Sequence, residues 1–297
     1  MTSSATRTSI GQLPNFLIIG AMKAGTTSLY HYLRAHPQVF MSSVKELDFF
    51  VHDPSGSRSL DWYRRQFAAA EPDSVAIGEA STIYTKFPRF PGVPERIAAQ
   101  VPNVRLIYVI RHPVERIRSH YQHQVAVGAE RAPFERAVFD NPIYLDYSRY
   151  AMQIDQYLPY FPQDHLLVIT SEDLRHERLR TVRRVYEFLG VEPDYTPPNL
   201  DREFYRTGER VTYPPLAWRI RRALKRHLPA SKRAKELVDA PFARWLRLAG
   251  HRKEGASAPG APSIPEEVRD PLVRLLEEDV RRLRDYVGPG FDGWGIA

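Results

Sequence analysis

The chain of 297 residues carries 42 Lys and Arg against 35 Asp and Glu, a formal net charge of +7, with 43% hydrophobic and 26% charged residues. That is ordinary globular composition, and it excludes wholesale disorder, a collagen-like fibre and a bundle of membrane helices. Cysteine is absent, which removes disulfides, thiolate metal sites and a thiol nucleophile and fits a reducing compartment. The opening MTSSATRTSIGQLPN has no apolar core of the kind a secretory signal needs. We expect residues 1–14 to be disordered and the protein to be cytoplasmic.

Apolar runs at residues 16–19, 75–77, 104–110 and 166–169 read as buried strands, and stretches of helical period separate them. Helices are expected at 26–33, at 114–125 after a Pro113 suited to the first helical position, at 148–158, and at 172–189 closed by Gly190. Such alternation implies an α/β fold, a central parallel sheet flanked by helices. A capping-box pattern from Ser263 to Glu266, followed by Pro271, opens a C-terminal helix along which Leu272, Leu275, Leu276, Val280, Leu283 and Val287 keep helical spacing. One domain over residues 15–297 accommodates all of this.

The charge is uneven. Residues 202–253 hold 15 basic and 4 acidic side chains, a local excess that points to an anionic partner. Within it, residues 216–228 (LAWRIRRALKRHL) form a basic amphipathic helix, and residues 251–265 are a Pro/Gly-rich loop. We expect 202–262 to be a helical lid or substrate region, docked on the core or touching an anionic membrane surface.

The strongest local signal is NFLIIGAMKAGTTSLYHYL at residues 15–33. A strand, a Gly-containing turn and a helix start aim free backbone N–H groups and the positive end of a helix dipole at an anion. Gly20 and Gly25 let the chain turn tightly, and Thr26, Thr27 and Ser28 add hydroxyls. A nucleoside-triphosphate loop would place Lys after the second Gly; here Thr26 stands in that place and the cation moves back to Lys23. The expected ligand is a phosphate bearing something other than a Mg-bound γ-phosphoryl group.

This segment resembles the 5′-phosphosulfate loop of sulfotransferases that use 3′-phosphoadenosine 5′-phosphosulfate. Residues 104–121, VRLIYVIRHPVERIRSHY, are similar to that family's 3′-phosphate motif, mapping to Arg111 and Ser119. KELDFF at 45–50 resembles the segment of the heparan-sulfate-type branch that carries the catalytic base, which maps to Glu46, and GEASTIY at 78–84 is a weaker match to the E-K-[ST]-P-x-Y segment. Asp48 and Ala80 stand where that branch has His and Lys, so the substrate contacts those groups make there do not carry over; with Cys absent as well, a soluble bacterial-type relative is expected to fit better than a heparan sulfate enzyme.

The resemblance implies transfer of a sulfuryl group to a hydroxyl, less readily an amine, of a carbohydrate, glycolipid or other small molecule. Lys23 would stabilise the leaving phosphate, Lys23, Ala24, Gly25, Thr26, Thr27 and Ser28 would hold the 5′-phosphate, and Arg111 and Ser119 the 3′-phosphate. Gly208 and Arg210 would map to a nucleotide-closing loop. The chemistry needs no metal, and the ten His show no metal-ligand spacing. No nucleic-acid partner is expected. Two other classes stay open: a phosphotransferase of the P-loop kinase kind, against which the missing lysine counts, and a non-catalytic binder of anionic lipid or nucleic acid, which leaves the phosphate loop unexplained.

Overall fold

The computed structural model describes residues 11–51, 58–204 and 264–297. The amphipathic helix at 216–228, Gly208, Arg210, Ser263, and most of the proposed lid and of the 251–265 loop lie outside them.

Among the described residues, five strands form one parallel sheet in the order β2-β3-β1-β4-β5. They are β1 (Phe16–Gly20), β2 (Val39–Met41), β3 (Ala76–Ala80), β4 (Arg105–Ile110) and β5 (Leu166–Thr170). Every residue of β1 and β3 is buried, as expected of a sheet covered by helices on both faces. The edge strand β2 has three residues, too few to show a period in the sequence. β3 runs past the expected end at residue 77 because its Gly and Glu are interior. Gly78 pairs with Phe16, and a Cβ there would stand 2.4 Å from the Phe16 ring; Glu79 is fully buried.

The helices around the sheet are α1 (Thr26–Arg34), α2 (Leu60–Arg65), α3 (Val93–Gln100), α4 (Pro113–Ala126), α5 (Phe134–Asp140), α6 (Ile143–Asp146), α7 (Tyr150–Asp155), α8 (Ser171–His176), α9 (Arg178–Leu189) and the C-terminal helix (Glu266–Val287). Pro113 occupies the first turn of α4, and Gly190 closes α9 in the left-handed conformation.

Three expected helices differ. The one placed at 148–158 shortens to α7, because Ser148 does not cap it: the Ser148 hydroxyl accepts from Nε of the fully buried Arg116 at 2.5 Å. The one placed at 172–189 breaks at Glu177, whose backbone (φ −118°, ψ 45°) leaves the helical region with no Gly or Pro to mark the place. The C-terminal helix starts at Glu266 after Pro265, with no side-chain cap, and contains Pro271.

That helix ties the molecule together. Leu272, Leu276 and Val280 pack with Val114 and Ile117 of α4, while Leu283 joins the main core around the sheet; Leu275, expected on the same face, is 46% exposed. Its Asp279 accepts from the Ala151 and Met152 N–H groups at 3.0 and 2.9 Å, capping an α7 that has no side-chain cap of its own. Among the described residues no helix is long and apolar enough to cross a membrane.

This packing makes the Asp279 cap and the loop glycines measurable. Hydrogen bonds to a charged group contribute about 1.5–3 kcal/mol, so Asp279→Ala should destabilise by roughly that amount, read as a lower denaturation midpoint. The two loop glycines should fail differently. A Cβ on Gly20 would lie 2.0 Å from Thr85 Oγ1 and 2.9 Å from the Tyr108 ring, whereas Gly25 has φ +97° and no neighbour nearer than 3.6 Å. Gly20→Ala should cost about 1–3 kcal/mol by overpacking, Gly25→Ala about 1–2 kcal/mol by left-handed strain. A second change, Thr85→Ala, should recover part of the first loss and none of the second.

Candidate functional site

In an open parallel sheet, ligands bind outside the carboxyl ends of the strands, and here those ends frame a cleft of about 530 Å³. β1 leads into the turn that carries Met22, Lys23 and Gly25; β3 into Thr82, Ile83 and Lys86; β4 into Arg111; β5 into Ser171 and Arg175. Glu46 and Asp48 enter from the segment after β2, and Arg178, Glu203 and Phe204 close the far side.

α1 begins at Thr26 after a left-handed Gly25 that lends no side-chain cap, so the first N–H groups of the helix face the cleft without intrahelical carbonyl partners. Lys23 sits in the turn with φ 73°. Thr26, Thr27 and Ser28 all line the cleft. Ser28 also fastens the far wall, because its Oγ accepts from the Phe204 N–H at 3.1 Å and pins residues 202–204 to α1. Ala24 is buried behind the loop, with its N–H on the Ala21 carbonyl.

Arg111 reaches from the end of β4 across to the phosphate loop, its Nη1 donating to the Lys23 carbonyl at 3.3 Å. Its contact with Glu115 is loose, at 3.7 Å, and burial lowers its pKa, an effect that charges such as Glu115 partly oppose. Ser119, two turns into α4, is buried and is not among the cleft-lining residues.

Glu46 is firmly held. Its N–H donates to the Ala80 carbonyl at 2.8 Å, and its carboxylate accepts from the Thr82 N–H at 2.8 Å, from Thr82 Oγ1 at 3.1 Å and from Lys45 Nζ at 2.5 Å. The side chain nonetheless remains 38% exposed, open to an incoming molecule. The following residues anchor the segment: Phe49 stacks on Tyr63 with ring centroids 4.3 Å apart, and Phe50 packs against both Tyr63 and Tyr84.

Several cleft residues were not singled out from the sequence as site residues. Lys86 is one: burial pushes its pKa down, while the charges of Glu46 and Asp48 hold it up. Arg175 and Arg178 are others; Arg178 donates to the Leu200 carbonyl at 2.7 Å and lies over the Tyr32 ring. Lys23, Lys45, Lys86, Arg111, Arg175 and Arg178 thus face Glu46, Asp48 and Glu203 across one cleft, an excess of positive charge suited to an anionic ligand. Among the described residues no group of three or more His, Asp or Glu is placed to hold a metal ion.

A crystal structure of a sulfotransferase from Alicyclobacillus acidocaldarius superposes with a TM-score of 0.67 over 96% of this chain and 99% of that one, at 23% identity, and so shares the fold. Human bifunctional heparan sulfate N-deacetylase/N-sulfotransferase 3 is 31% identical over 204 residues, covering 62% of this chain and 23% of that protein. Human heparan sulfate glucosamine 3-O-sulfotransferase 5 is 30% identical over 204 residues, covering 64% and 57%. The chain therefore spans less than two thirds of the length of either relative. The sulfotransferase domain model matches residues 13–206, a stretch that contains the phosphate loop, Glu46 and Arg111, and the chain belongs to the sulfotransferase domain family.

Proposed function

We propose that the protein transfers a sulfuryl group from 3′-phosphoadenosine 5′-phosphosulfate to a hydroxyl of a carbohydrate or related small molecule. The observation that carries this reading is that Lys23, on the phosphate loop, and Glu46, held by Thr82 with its carboxylate still accessible, line the same cleft. A carbohydrate acceptor is supported by the heparan sulfate named for both relatives.

The transfer is an in-line displacement at sulfur. The acceptor oxygen forms a bond to sulfur as the bond from sulfur to the bridging phosphate oxygen breaks. Glu46 takes the acceptor's proton, and negative charge grows on the bridging oxygen, which leaves as part of adenosine 3′,5′-bisphosphate. Lys23 and the first amides of α1 are suited to that developing charge, which is the kind of electrostatic preorganisation that dominates such steps. Arg111 offers a planar fork of donors to the 3′-phosphate, and Arg175 and Arg178 add charge on the same side of the sheet as Ser171. Lys86 adds a further cation to the cleft.

Glu46→Gln and Lys23→Ala should each remove most turnover, measured by mass spectrometry on pooled hydroxyl acceptors with isotopically labelled donor. Loss of a general base costs on the order of 10²–10⁴ in rate. Glu46→Gln should still bind the bisphosphate, and near-wild-type turnover by that variant would remove Glu46 from the base role. Stabilisation by the bisphosphate but not by ATP with Mg²⁺ in a thermal shift separates this reading from a kinase.

Donor selectivity gives an independent check. Two contacts to a charged phosphate, each worth about 1.5–3 kcal/mol, imply that adenosine 5′-phosphosulfate, which lacks the 3′-phosphate, binds at least tenfold more weakly. Arg111→Ala should erase the difference. Equal wild-type affinity for the two nucleotides would overturn the role given to Arg111.

A further inference from the structure

Behind Glu46 lies a carboxylate that the transfer itself does not use. Glu79, on β3, is fully buried and accepts three hydroxyl protons: Ser81 Oγ at 2.6 Å, Tyr84 OH at 2.7 Å and Tyr63 OH at 2.9 Å. Two of those hydroxyls accept in turn from the backbone just after Glu46, Ser81 Oγ from the Asp48 N–H at 3.0 Å and Tyr84 OH from the Phe49 N–H at 3.1 Å. The third belongs to the ring on which Phe49 stacks.

We propose that Glu79 is a positioning residue for the base: through Ser81 and Tyr84 its carboxylate fixes the amides of Asp48 and Phe49, and with them the place of the Glu46 carboxylate in the cleft. This rests on the reading of Glu46 as the base.

Hydrogen-bond direction makes the connection. A hydroxyl has a single proton, and an ionised carboxylate only accepts. With Glu79 ionised, Ser81 and Tyr84 both direct their protons to it and turn lone pairs to the two amides. A neutral acid or an amide at 79 would bring a donor of its own, and at least one hydroxyl proton would lose its buried acceptor, a costly loss away from water. The wiring also passes through backbone that needs holding, since Glu46 and Asp48 have φ of 61° and 56°.

The charge state of Glu79 is poised. Burial pushes its pKa up to about 7, the donations from Ser81, Tyr84 and Tyr63 pull it down, and the Asp48 charge pushes it up. Tyr63 of α2, Asp48 of the segment after β2 and Tyr84 of the turn after β3 are the titratable groups facing it, with the neutral Ser81 hydroxyl beside them. Because the native pKa lies above the ordinary 4.5, the folded state holds more protons than the unfolded between those values and stability falls as pH rises across that window. The wired, ionised form is therefore gained as pH rises through about 7, in the direction opposite to stability.

The test is hydrogen–deuterium exchange of residues 46–50, corrected for intrinsic rate, in the full chain and in Glu79→Gln. At pH 8 protection of the Asp48 and Phe49 amides should fall by up to about tenfold, the size expected when an amide-to-hydroxyl hydrogen bond is lost, while β1 and β4 amides stay unchanged. Wild-type protection should drop toward the variant's as pH falls through 7. With the acceptor found in the labelled-donor screen, kcat should fall on the order of 10- to 100-fold, as for a slight misplacement of a reacting group, with KM for the donor unchanged and the limb near pH 7 lost. Ser81→Ala and Tyr84→Phe each remove one link and are read in the same way, so a misfolded Glu79→Gln leaves the test intact. Unchanged exchange in these variants, or changed exchange with wild-type kcat, overturns the proposal. Wild-type turnover by Glu46→Gln would instead overturn the base reading, and the exchange result would still judge the wiring.

Discussion

The site depends on how the segment after β2 is fastened to the carboxyl end of β3. The Glu46 N–H on the Ala80 carbonyl and the Glu46 carboxylate on the Thr82 N–H form a reciprocal clasp, so backbone and side chain of one residue are both referred to the sheet. β3 pairs with β1 at Phe16, Leu17 and Ile18, and β1 runs directly into the loop that carries Lys23. The cation and the carboxylate of the cleft are thereby set against each other by one rigid pair of strands, with no long loop between. A site built on adjacent strands keeps its geometry better than one built on loops.

That arrangement has an electrostatic consequence. Lys86 and Arg111 are both destabilised as cations by burial, and Glu46, Asp48 and Glu115 partly compensate. Carboxylates this close keep the cations charged when no anion is bound, but they do not match the cations in number across the cleft. An arriving polyanion supplies the missing charge, and the desolvation already imposed on Lys86 and Arg111 makes them respond to it more strongly than solvated side chains would.

What the sequence showed of this site is what chain neighbourhood encodes. The turn from β1 to α1 was legible because strand, glycine, cation and hydroxyls are consecutive, and Arg111 because it ends an apolar run just before Pro113. Lys86, Arg175 and Arg178 were not, since each is one basic residue among many and gains meaning only when parallel pairing of β3, β1, β4 and β5 brings four strand ends together. Glu79 was hidden for a related reason: a charged residue after a glycine reads as the end of a strand, and only the three hydroxyls around it make it an interior residue. Gly20 and Gly25 looked alike in sequence, yet one answers to packing against Thr85 and the other to its own backbone angle. The break at Glu177 and the cap that Asp279 gives α7 are likewise tertiary, with no local signal to announce them.

Strain marks the same place. Among the described residues, the non-glycine residues with positive φ are Lys23, Glu46, Asp48 and Trp294, and the first three line the cleft. Such a backbone costs of order 1–3 kcal/mol per residue and persists where its surroundings over-determine it. For Glu46 and Asp48 the surroundings are known: the clasp to Ala80 and Thr82, the Ser81 hydroxyl, and the aromatic packing of Phe49 and Phe50 behind them. The left-handed turn at Glu46 and again at Asp48 lets Leu47 and Phe49 go into the core while both carboxylates face the cleft. An extended strand would put 46, 48 and 50 on one face and 47 and 49 on the other, so burying Phe50 together with Leu47 and Phe49 beneath two cleft-facing acids requires the chain to leave the extended conformation. The strain is thus the local cost of placing two charges over an apolar anchor, and the network beneath them is what holds it in place.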